Sequence, residues 1–239
     1  MAELRIIPSE TPKDSSNIKA RERYGRIHVE LRRRICLLDY PPGTRLSEEA
    51  LATEFGTSRT PIRQVLARLE GEGLVKSAHG VGTFVTDANM SELEQAYRLR
   101  VELVGLTRGL SSKQPDEGLM AELYALRARS KEMMTKGSPR AFTQLDMDLF
   151  ETLMNLVGNE PLREICERLY YRTKRIWTKS AVAAELDLTK EFYMFDRELE
   201  DIISALEVGD LEALGSIQKA HISMSFQRLL NASKTATQS

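Results

Sequence analysis

The chain has few of the residues that build disulfide, metal or redox proteins. Its 239 residues include only two cysteines, Cys36 and Cys166, and three histidines. Neither cysteine stands in CxxC or Cys/His spacing, which excludes a disulfide framework and a zinc finger. We therefore interpret both cysteines as small buried apolar side chains.

Long hydrophobic runs are also missing. The chain is 41% hydrophobic and 29% charged, and no apolar stretch approaches the roughly 20 residues of a transmembrane helix. The N-terminus, with Arg5, Pro8, Glu10 and Lys13, lacks the hydrophobic core of a signal peptide. This composition predicts a globular cytoplasmic protein without a membrane partner, built as one large domain or two modest ones.

Charge of neither sign dominates, since the formal net charge is −1, but it is unevenly distributed. Residues 1–86 contain 14 Lys/Arg and 11 Asp/Glu, whereas the remainder contains 20 and 24. A basic first part is compatible with a module that faces nucleic acid, although a solvated surface can show the same imbalance by chance.

The N-terminal third divides into an arm and a compact module. Residues 1–17 combine two prolines with small polar residues and no periodicity, which predicts a mobile arm. From Ile18 to about Leu38, apolar residues recur every three or four positions and predict an amphipathic helix. Residues 41–43, with the sequence PPG, end that helix.

Residues 46–85 predict two short helices and a hairpin. Ser47 caps the first helix, which stops at Gly56, and Ser58 or Thr60 caps a second helix with Pro61 in its first turn. Two helices joined by a tight glycine turn are typical of a helix-turn-helix. Strand-like residues 74–76 and 82–85 then flank a glycine-containing turn and predict a β-hairpin, or wing.

Beyond residue 87 the pattern is helical throughout. Gly, Pro, Ser and Asn clusters separate six candidate helices with short connections, which predict an antiparallel bundle. The predicted helices cover residues 91–110, 116–136, 138–157, 160–179, 188–208 and 210–231. The predicted organisation is therefore an arm at 1–17, a winged helix at 18–86, a linker at 87–90, a helical domain at 91–231 and a disordered tail at 232–239.

The segment PPGTRLSEEALATEFGTSRTPIRQVLARLEGEGLVKSAHGVGTFV closely resembles the winged-helix domain of GntR-type bacterial transcription regulators. The helical remainder resembles the ligand-sensing FCD domain of the FadR/VanR branch, and six helices favour the VanR-like variant. The resemblance implies a mostly α protein, with an N-terminal winged helix-turn-helix followed by an antiparallel six-helix FCD bundle.

The second helix of the helix-turn-helix carries the candidate DNA-reading side chains. Arg59 and Arg63 lie four residues apart on one face, and each guanidinium can form a bidentate hydrogen-bond pair with guanine or bind phosphate. The resemblance assigns Ser58, Arg59, Thr60 and Arg63 to DNA contact. It also places Gly80 at the wing tip in the minor groove with His79 beside it, and we expect Arg45 and Lys76 to contact the DNA backbone.

The same resemblance implies a metal site that this sequence cannot complete. FCD sensors commonly hold a divalent metal with one Asp and three His, and alignment puts Asp146 and His221 at two of these positions. Phe150 and Leu199 occupy the other two and offer no lone pairs, and Glu151 points elsewhere on the helix. We therefore predict neither a metal centre nor another cofactor.

What remains is a candidate effector pocket with a partly apolar wall. We expect Asp146 and His221 to bond each other or a ligand, and Arg100 with Arg172 or Arg175 to meet an effector anion. Phe150, Leu199, Tyr170 and Trp177 are candidates for the apolar lining. The alternatives are a satisfied core pair, ordinary surface arginines and ordinary core aromatics.

These inferences predict a sequence-specific transcription regulator rather than an enzyme. We expect a repressor that binds a palindromic operator as a homodimer and responds to a small organic, anionic effector. One alternative is a DNA-binding regulator whose sensor domain serves only as a dimerisation scaffold. An enzyme with Asp146 and His221 as an acid/base pair is disfavoured, because no nucleophile, phosphate loop or complete metal set accompanies them.

Overall fold

The computed structural model describes residues 15–87, 90–110, 112–183 and 186–238 of the chain. The predicted arm falls largely outside these residues, as do residues 88 and 89 of the predicted linker. The N-terminal elements are α1 (Ser15–Cys36), β1 (Arg45–Leu46), α2 (Glu48–Glu54), α3 (Arg59–Gly71), β2 (Val75–Ala78) and β3 (Gly82–Val85). The C-terminal elements are α4 (Met90–Gly109), α5 (Glu117–Lys136), α6 (Pro139–Met154), α7 (Glu160–Val182), α8 (Leu188–Glu207) and α9 (Leu211–Gln238).

Helices α1–α3 and a small sheet form the N-terminal unit. The Ser47 hydroxyl caps α2 by accepting from the Ala50 amide at 3.3 Å, and Gly56 has φ +59 in the turn to α3. The apolar stripe of α3 is buried, with members Ile62, Val65, Leu66 and Leu69. Packing of this stripe holds α3 against α1 and α2, and this confirms the predicted helix-turn-helix.

The wing contains one strand more than the predicted hairpin. β2 and β3 pair antiparallel, with Val75 opposite Val85 and Ala78 opposite Gly82. The two-residue strand β1 pairs with β3, so the sheet order is β1-β3-β2. A strand of two residues is too short to produce a period-2 pattern, so the hairpin alone was predictable.

In the part of the chain that the structure describes, six helices form the C-terminal bundle, and this confirms the predicted all-helical architecture. Polar side chains cap their first turns by accepting backbone N–H donors: Asp116 from Leu119 at 2.8 Å, Ser138 from Ala141 at 3.2 Å and Asn159 from Leu162 at 3.0 Å. The apolar faces meet in one core that includes Leu123, Leu145, Trp177, Leu199 and Ile202. Among the described residues, none of the helices combines the length and apolar character needed to cross a bilayer.

Two helix ends lie beyond their predicted positions. α7 continues to Val182 and α9 to Gln238, so residues 232–238 of the predicted disordered tail are helical. No glycine or proline follows Asn231, and alanine and lysine there favour helix, so nothing in the local sequence terminates α9.

The two units share a continuous core rather than only a linker. Met147, Tyr170 and Tyr171, from the bundle, belong to the same buried cluster as the stripe of α3. The Arg32 guanidinium of α1 lies 3.7 Å from the Tyr171 ring centroid, and the Cys36 thiol donates to the Tyr171 carbonyl at 3.5 Å. Helix α7 therefore contacts the N-terminal unit directly.

Hydrogen bonds reinforce the contact between the two units at two places. Arg33 donates to Gln144 at 2.7 Å and to Asp148 at 2.9 Å. Arg175, which is 3% exposed, donates to the carbonyls of Thr86 at 2.6 Å and Leu74 at 3.4 Å. The second pair connects α7 to the segment that leaves the wing.

Candidate nucleic-acid interface and ligand cavity

The N-terminal turn of α3 presents an exposed polar surface. Ser58 occupies the N-cap position, but its side chain makes no capping hydrogen bond. Arg59, Thr60 and Arg63 are exposed on the same helix. Free N–H groups, hydroxyls and guanidinium groups at a helix N-terminus suit phosphate oxygens and base edges.

Both arginines of this surface are held by carboxylates of α2. Arg59 pairs with Glu49 at 2.7 Å, and Arg63 donates to the two oxygens of Glu48 at 3.2 and 3.0 Å. The arginine side chains remain 59% and 71% exposed. Exposed ion pairs contribute only about 0–1 kcal/mol, so both arginines can exchange a carboxylate for DNA at small cost.

The wing lies next to this helix surface. Gly80 has φ +71 at the turn, and no heavy atom lies within 4 Å of the position that a Cβ would take there. Lys76 and His79 are exposed. The Arg45 guanidinium covers Gly82, where a Cβ would stand 2.9 Å from its Nε atom.

One acidic contact of this unit was not predicted from the sequence. Glu70, near the end of α3, accepts from the Ser77 amide at 2.6 Å and its hydroxyl at 2.9 Å. This contact fixes the wing relative to α3. A glutamate on a solvent-exposed helix face carries no signal in the sequence that distinguishes it from its neighbours.

Inside the bundle, the residues that line one cavity combine charged and aromatic groups. Arg100 comes from α4, Asp146 from α6 and His221 from α9, so three predicted effector residues meet here. The cavity encloses about 70 Å³. Its aromatic lining includes Tyr170 and Trp177, both predicted, and also Tyr97, Phe142 and Phe195.

Asp146 lies at the centre of a buried polar cluster. Its Oδ2 atom accepts from the Tyr170 hydroxyl and lies 2.8 Å from the Lys174 ammonium. Burial raises the pKa of Tyr170 well above its usual value, and the Asp146 carboxylate adds to the effect. Burial lowers the pKa of Lys174, whereas Asp146 opposes that change. Tyr170 therefore stays a neutral donor, and the aspartate compensates the buried lysine.

Arg100 is the cavity cation with no carboxylate partner among the described residues. It donates to the Thr173 hydroxyl at 2.7 Å, and its guanidinium carbon lies 5.1 Å from the ring centroids of Tyr97 and Tyr170. A guanidinium held by a hydroxyl and two rings keeps donors free for an anion.

The opposite wall of the cavity is formed by α8 and α9. Arg228 forms a bidentate pair with Glu191: its Nε atom donates to Oε1, and its Nη2 atom donates to Oε2 at 3.1 Å. Burial, together with the nearby Asp146 carboxylate, raises the pKa of Glu198 to about 8. His221 lies 4.0 Å from Glu198 and 3.8 Å from Asp201. Burial lowers the pKa of His221, an effect that Asp201 opposes.

Four predicted effector residues lie elsewhere. Phe150 stacks on Tyr170, with ring centroids 3.7 Å apart, in the core shared by the two units. Leu199 is fully buried in the bundle core. Arg172 lies against Gly73 and Arg175 bonds the Thr86 carbonyl, so both of these α7 residues face the N-terminal unit. Their spacing placed them on α7 correctly, but helical periodicity does not say which neighbour a face contacts.

The side chains present do not fit the metal site of the resemblance. Asp146 is occupied by Lys174 and Tyr170, and Phe150 and Leu199 fill apolar cores. Within the described ranges, no group of three or more His, Cys, Asp or Glu side chains is arranged to hold a metal ion. Lys174 supplies Asp146 with the positive charge that a metal ion would bring.

Sequence reasoning missed Lys174, Glu198 and Arg228. Lys174 had a detectable signal, because Tyr170, Lys174 and Trp177 share one helix face, and a lysine in an aromatic stripe is unusual. Glu198 stands beside Leu199, the position that the aligned metal pattern indicates, and the structure places Glu198 rather than Leu199 in the cavity lining. Arg228 had no comparable signal.

Both units match known families. Residues 23–85 match the family described as "Bacterial regulatory proteins, gntR family", and residues 95–224 match the FCD domain. The "Uncharacterized HTH-type transcriptional regulator YdhC" of Bacillus subtilis (strain 168) is 26% identical over 147 residues. That match covers 61% of this chain and 66% of YdhC, just under two thirds of the relative's length.

Two further comparisons extend over more of the chain. The "Probable D-xylose utilization operon transcriptional repressor" of Paenarthrobacter nicotinovorans is 26% identical over 172 residues, covering 72% of this chain and 73% of that protein. The solved structure "E. coli McbR/YncC" has a TM-score of 0.74 at 19% identity, and the match covers 87% of this chain and 97% of that chain. This structural likeness shows a shared fold.

Proposed function

The chain belongs to the GntR family of bacterial regulatory proteins and carries an FCD domain, and from that premise we propose that it is a ligand-responsive transcription repressor. The observation that carries the proposal is the position of α7. One face of this helix lines the cavity with Tyr170 and Lys174, and another contacts the DNA-binding unit through Tyr171 and Arg175. Membership of the family accounts for DNA binding, and α7 accounts for control by a ligand.

In this proposal α3 enters the major groove. Arg59 and Arg63 leave their α2 carboxylates and read base edges, while Ser58 and Thr60 bind phosphate. His79 and Gly80 approach the minor groove, and Arg45 and Lys76 contact the DNA backbone. The exposure of all eight residues and the absence of a capping bond at Ser58 support these roles.

Two copies of the chain bind one operator in this proposal. A single recognition helix contacts only a few base pairs, so a twofold dimer on a palindromic site doubles the contacts and sets the half-site spacing. Bound upstream of a gene in the cytoplasm, such a dimer obstructs transcription. The relative named as a D-xylose operon repressor supports this sign of regulation.

The effector in this proposal is a small organic anion. Asp146 and Glu191 already have cationic partners, whereas Arg100 has no carboxylate partner among the described residues. An anion entering the cavity therefore meets an uncompensated guanidinium. Asp146 and His221 supply further polar contacts.

DNA binding is tested by selecting bound fragments from sheared genomic DNA and measuring their affinity by fluorescence anisotropy. We expect Arg59→Ala and Arg63→Ala each to weaken operator binding by about 1–3 kcal/mol. Arg98→Ala is the matched control, because Arg98 is also exposed and paired with a glutamate, at 2.6 Å, but lies on α4. Equal losses in all three variants would contradict the proposed reading surface.

The scaffold alternative has one observation in its favour. A volume of about 70 Å³ is small beside the roughly 300–1,000 Å³ of ordinary ligand pockets. If the bundle serves only for dimerisation, copurified small molecules will leave operator affinity unchanged in the wild type and in Arg100→Gln alike. A response in the wild type that Arg100→Gln lacks would favour the sensor.

A further inference from the structure

The cavity contains a buried ammonium at the position where charge from a metal ion would be needed. Lys174 is 5% exposed, and its Nζ atom lies 2.8 Å from Asp146 Oδ2. The same atom lies 4.5 Å from the Trp177 ring centroid and 5.1 Å from that of Phe142. An ammonium has three donors, and Asp146 is the only acceptor that it reaches among the described residues.

A second cation, Arg100, lies next to Tyr170. Arg100 lies over the Tyr170 ring, and the Tyr170 hydroxyl is bound to the carboxylate that holds Lys174. Both cations line the cavity, and Arg100 has no carboxylate partner in the described part of the chain. The cavity thus offers unused N–H donors from two positive groups.

The cavity volume limits the size of the occupant. The volume of about 70 Å³ is well below the roughly 300–1,000 Å³ of ordinary ligand pockets, which favours a small occupant. The aromatic side chains of Phe142, Trp177 and Phe195 suit a short apolar body, and on the opposite wall Arg228 is already paired with Glu191, which disfavours a second carboxylate there.

Resting on the proposed function, we infer that Lys174 replaces the metal ion and, with Arg100, binds the carboxylate of a short-chain monocarboxylic acid directly. Asp146 has a different role here from that of a metal ligand. It positions the Lys174 ammonium and competes with the incoming carboxylate for the same positive charge. Metal-dependent binding would be lost on adding EDTA, whereas lysine-dependent binding would not.

The test is isothermal titration calorimetry of the full-length protein with propionate in the presence of EDTA. Propionamide has the same shape without the charge, and we expect it to bind at least tenfold more weakly. Octanoate, whose chain is five carbons longer, is expected to bind more weakly than propionate because the cavity volume is only about 70 Å³. Equal binding of propionate and propionamide, or no binding of propionate, would overturn the inference.

Two variants separate the lysine from a metal. Lys174→Met is expected to weaken propionate binding at least tenfold, whereas Lys174→Arg, which keeps a cation in the cavity, is expected to retain most of it. Lys219→Met is the control, since Lys219 pairs with Glu102 at 2.9 Å but lies outside the cavity. Loss of wild-type binding on adding EDTA would establish metal-dependent binding instead, and unchanged binding in Lys174→Met would overturn the role of the lysine. If Lys174→Met does not fold, the Lys174→Arg and EDTA results decide the matter.

Failure of this inference is distinguishable from failure of the proposed function. Calorimetry reports the cavity alone, and operator anisotropy reports the DNA-binding unit alone. If the protein binds its operator but not propionate, the proposed function stands and the inference about the carboxylate site fails. If it binds propionate but no DNA, the carboxylate site stands and the proposed function fails.

Discussion

Arg175 offers a direct way to weaken the contact between the two units. Its guanidinium leaves α7 and donates to Thr86 at 2.6 Å and to Leu74 at 3.4 Å. Arg175→Met keeps most of the apolar stem but removes both donors. Because the side chain is 3% exposed, no water replaces it without a rearrangement of the contact.

The expected cost follows from these contacts. A hydrogen bond from a charged donor contributes about 1.5–3 kcal/mol, but the 3.4 Å bond is weak and Arg175 Nε is buried without a partner. Burial also lowers the pKa of Arg175, which reflects the penalty of desolvating its charge. We therefore expect a loss of about 1–2 kcal/mol in the free energy of unfolding, or about 2–8 °C in Tm.

The assay combines urea denaturation with hydrogen exchange. Exchange in Arg175→Met should accelerate in β2, β3 and residues 86–87 and remain unchanged in α5 and α8. Lys179→Met is the control, because Lys179 reaches Asp87 in the same segment at 3.2 Å through an exposed pair worth at most about 1 kcal/mol. Unchanged stability and exchange in Arg175→Met, or equal effects in both variants, would refute the reasoning.

Three further predictions concern pH, packing and salt. The pKa of Glu198 is raised to about 8, so the folded state keeps a proton that the unfolded chain loses near pH 4; stability should fall as pH rises from about 4 to about 8. Denaturation at pH 5–9 measures the free energy of unfolding of the wild type and two variants. This free energy should fall less with pH in Glu198→Gln than in the wild type, and as much as in the wild type in the exposed control Glu212→Gln. Equal pH dependence in all three proteins would contradict the prediction. Gly137→Ala places a Cβ 2.5 Å from the Met133 carbonyl oxygen and should lower the free energy of unfolding by about 1–3 kcal/mol. Gly105→Ala meets nothing within 4 Å and should stabilise α4 by about 0.5–1 kcal/mol. Thermal melts in which Gly137→Ala is the more stable of the two variants would refute this. Operator affinity should fall steeply between 50 and 200 mM salt because phosphate contacts release counterions, and a flat anisotropy series would contradict the basic surface.

Local signals in the sequence account for most of the fold. Caps such as Ser47, Asp116 and Asn159 and the glycine at residue 56 act on their own turns, so helix starts and breaks were predictable. The C-terminal end of α9 was not predictable, because without a local stop signal the packing of a helix determines how far it extends. The strand β1 was also missed, since two residues do not show a period.

The site was only partly predictable, for a related reason. Asp146, Arg100 and His221 line one cavity, because aligned positions on helices carry over with the fold. The direction of Arg172 and Arg175 depends on how the two units pack, which is a long-range property that helical spacing does not encode. Lys174 was overlooked although its place in an aromatic stripe marks it, since a buried lysine requires a partner such as Asp146.

The most direct test of the account is the operator affinity of the wild-type protein measured with and without the ligand that fills the cavity. Fluorescence anisotropy at fixed salt, with saturating propionate or a copurified ligand identified by mass spectrometry, gives the coupling between the two sites. We predict a change of about 5- to 150-fold, which corresponds to about 1–3 kcal/mol. Identical affinities with every ligand that binds the cavity would contradict the central claim that α7 connects ligand to DNA.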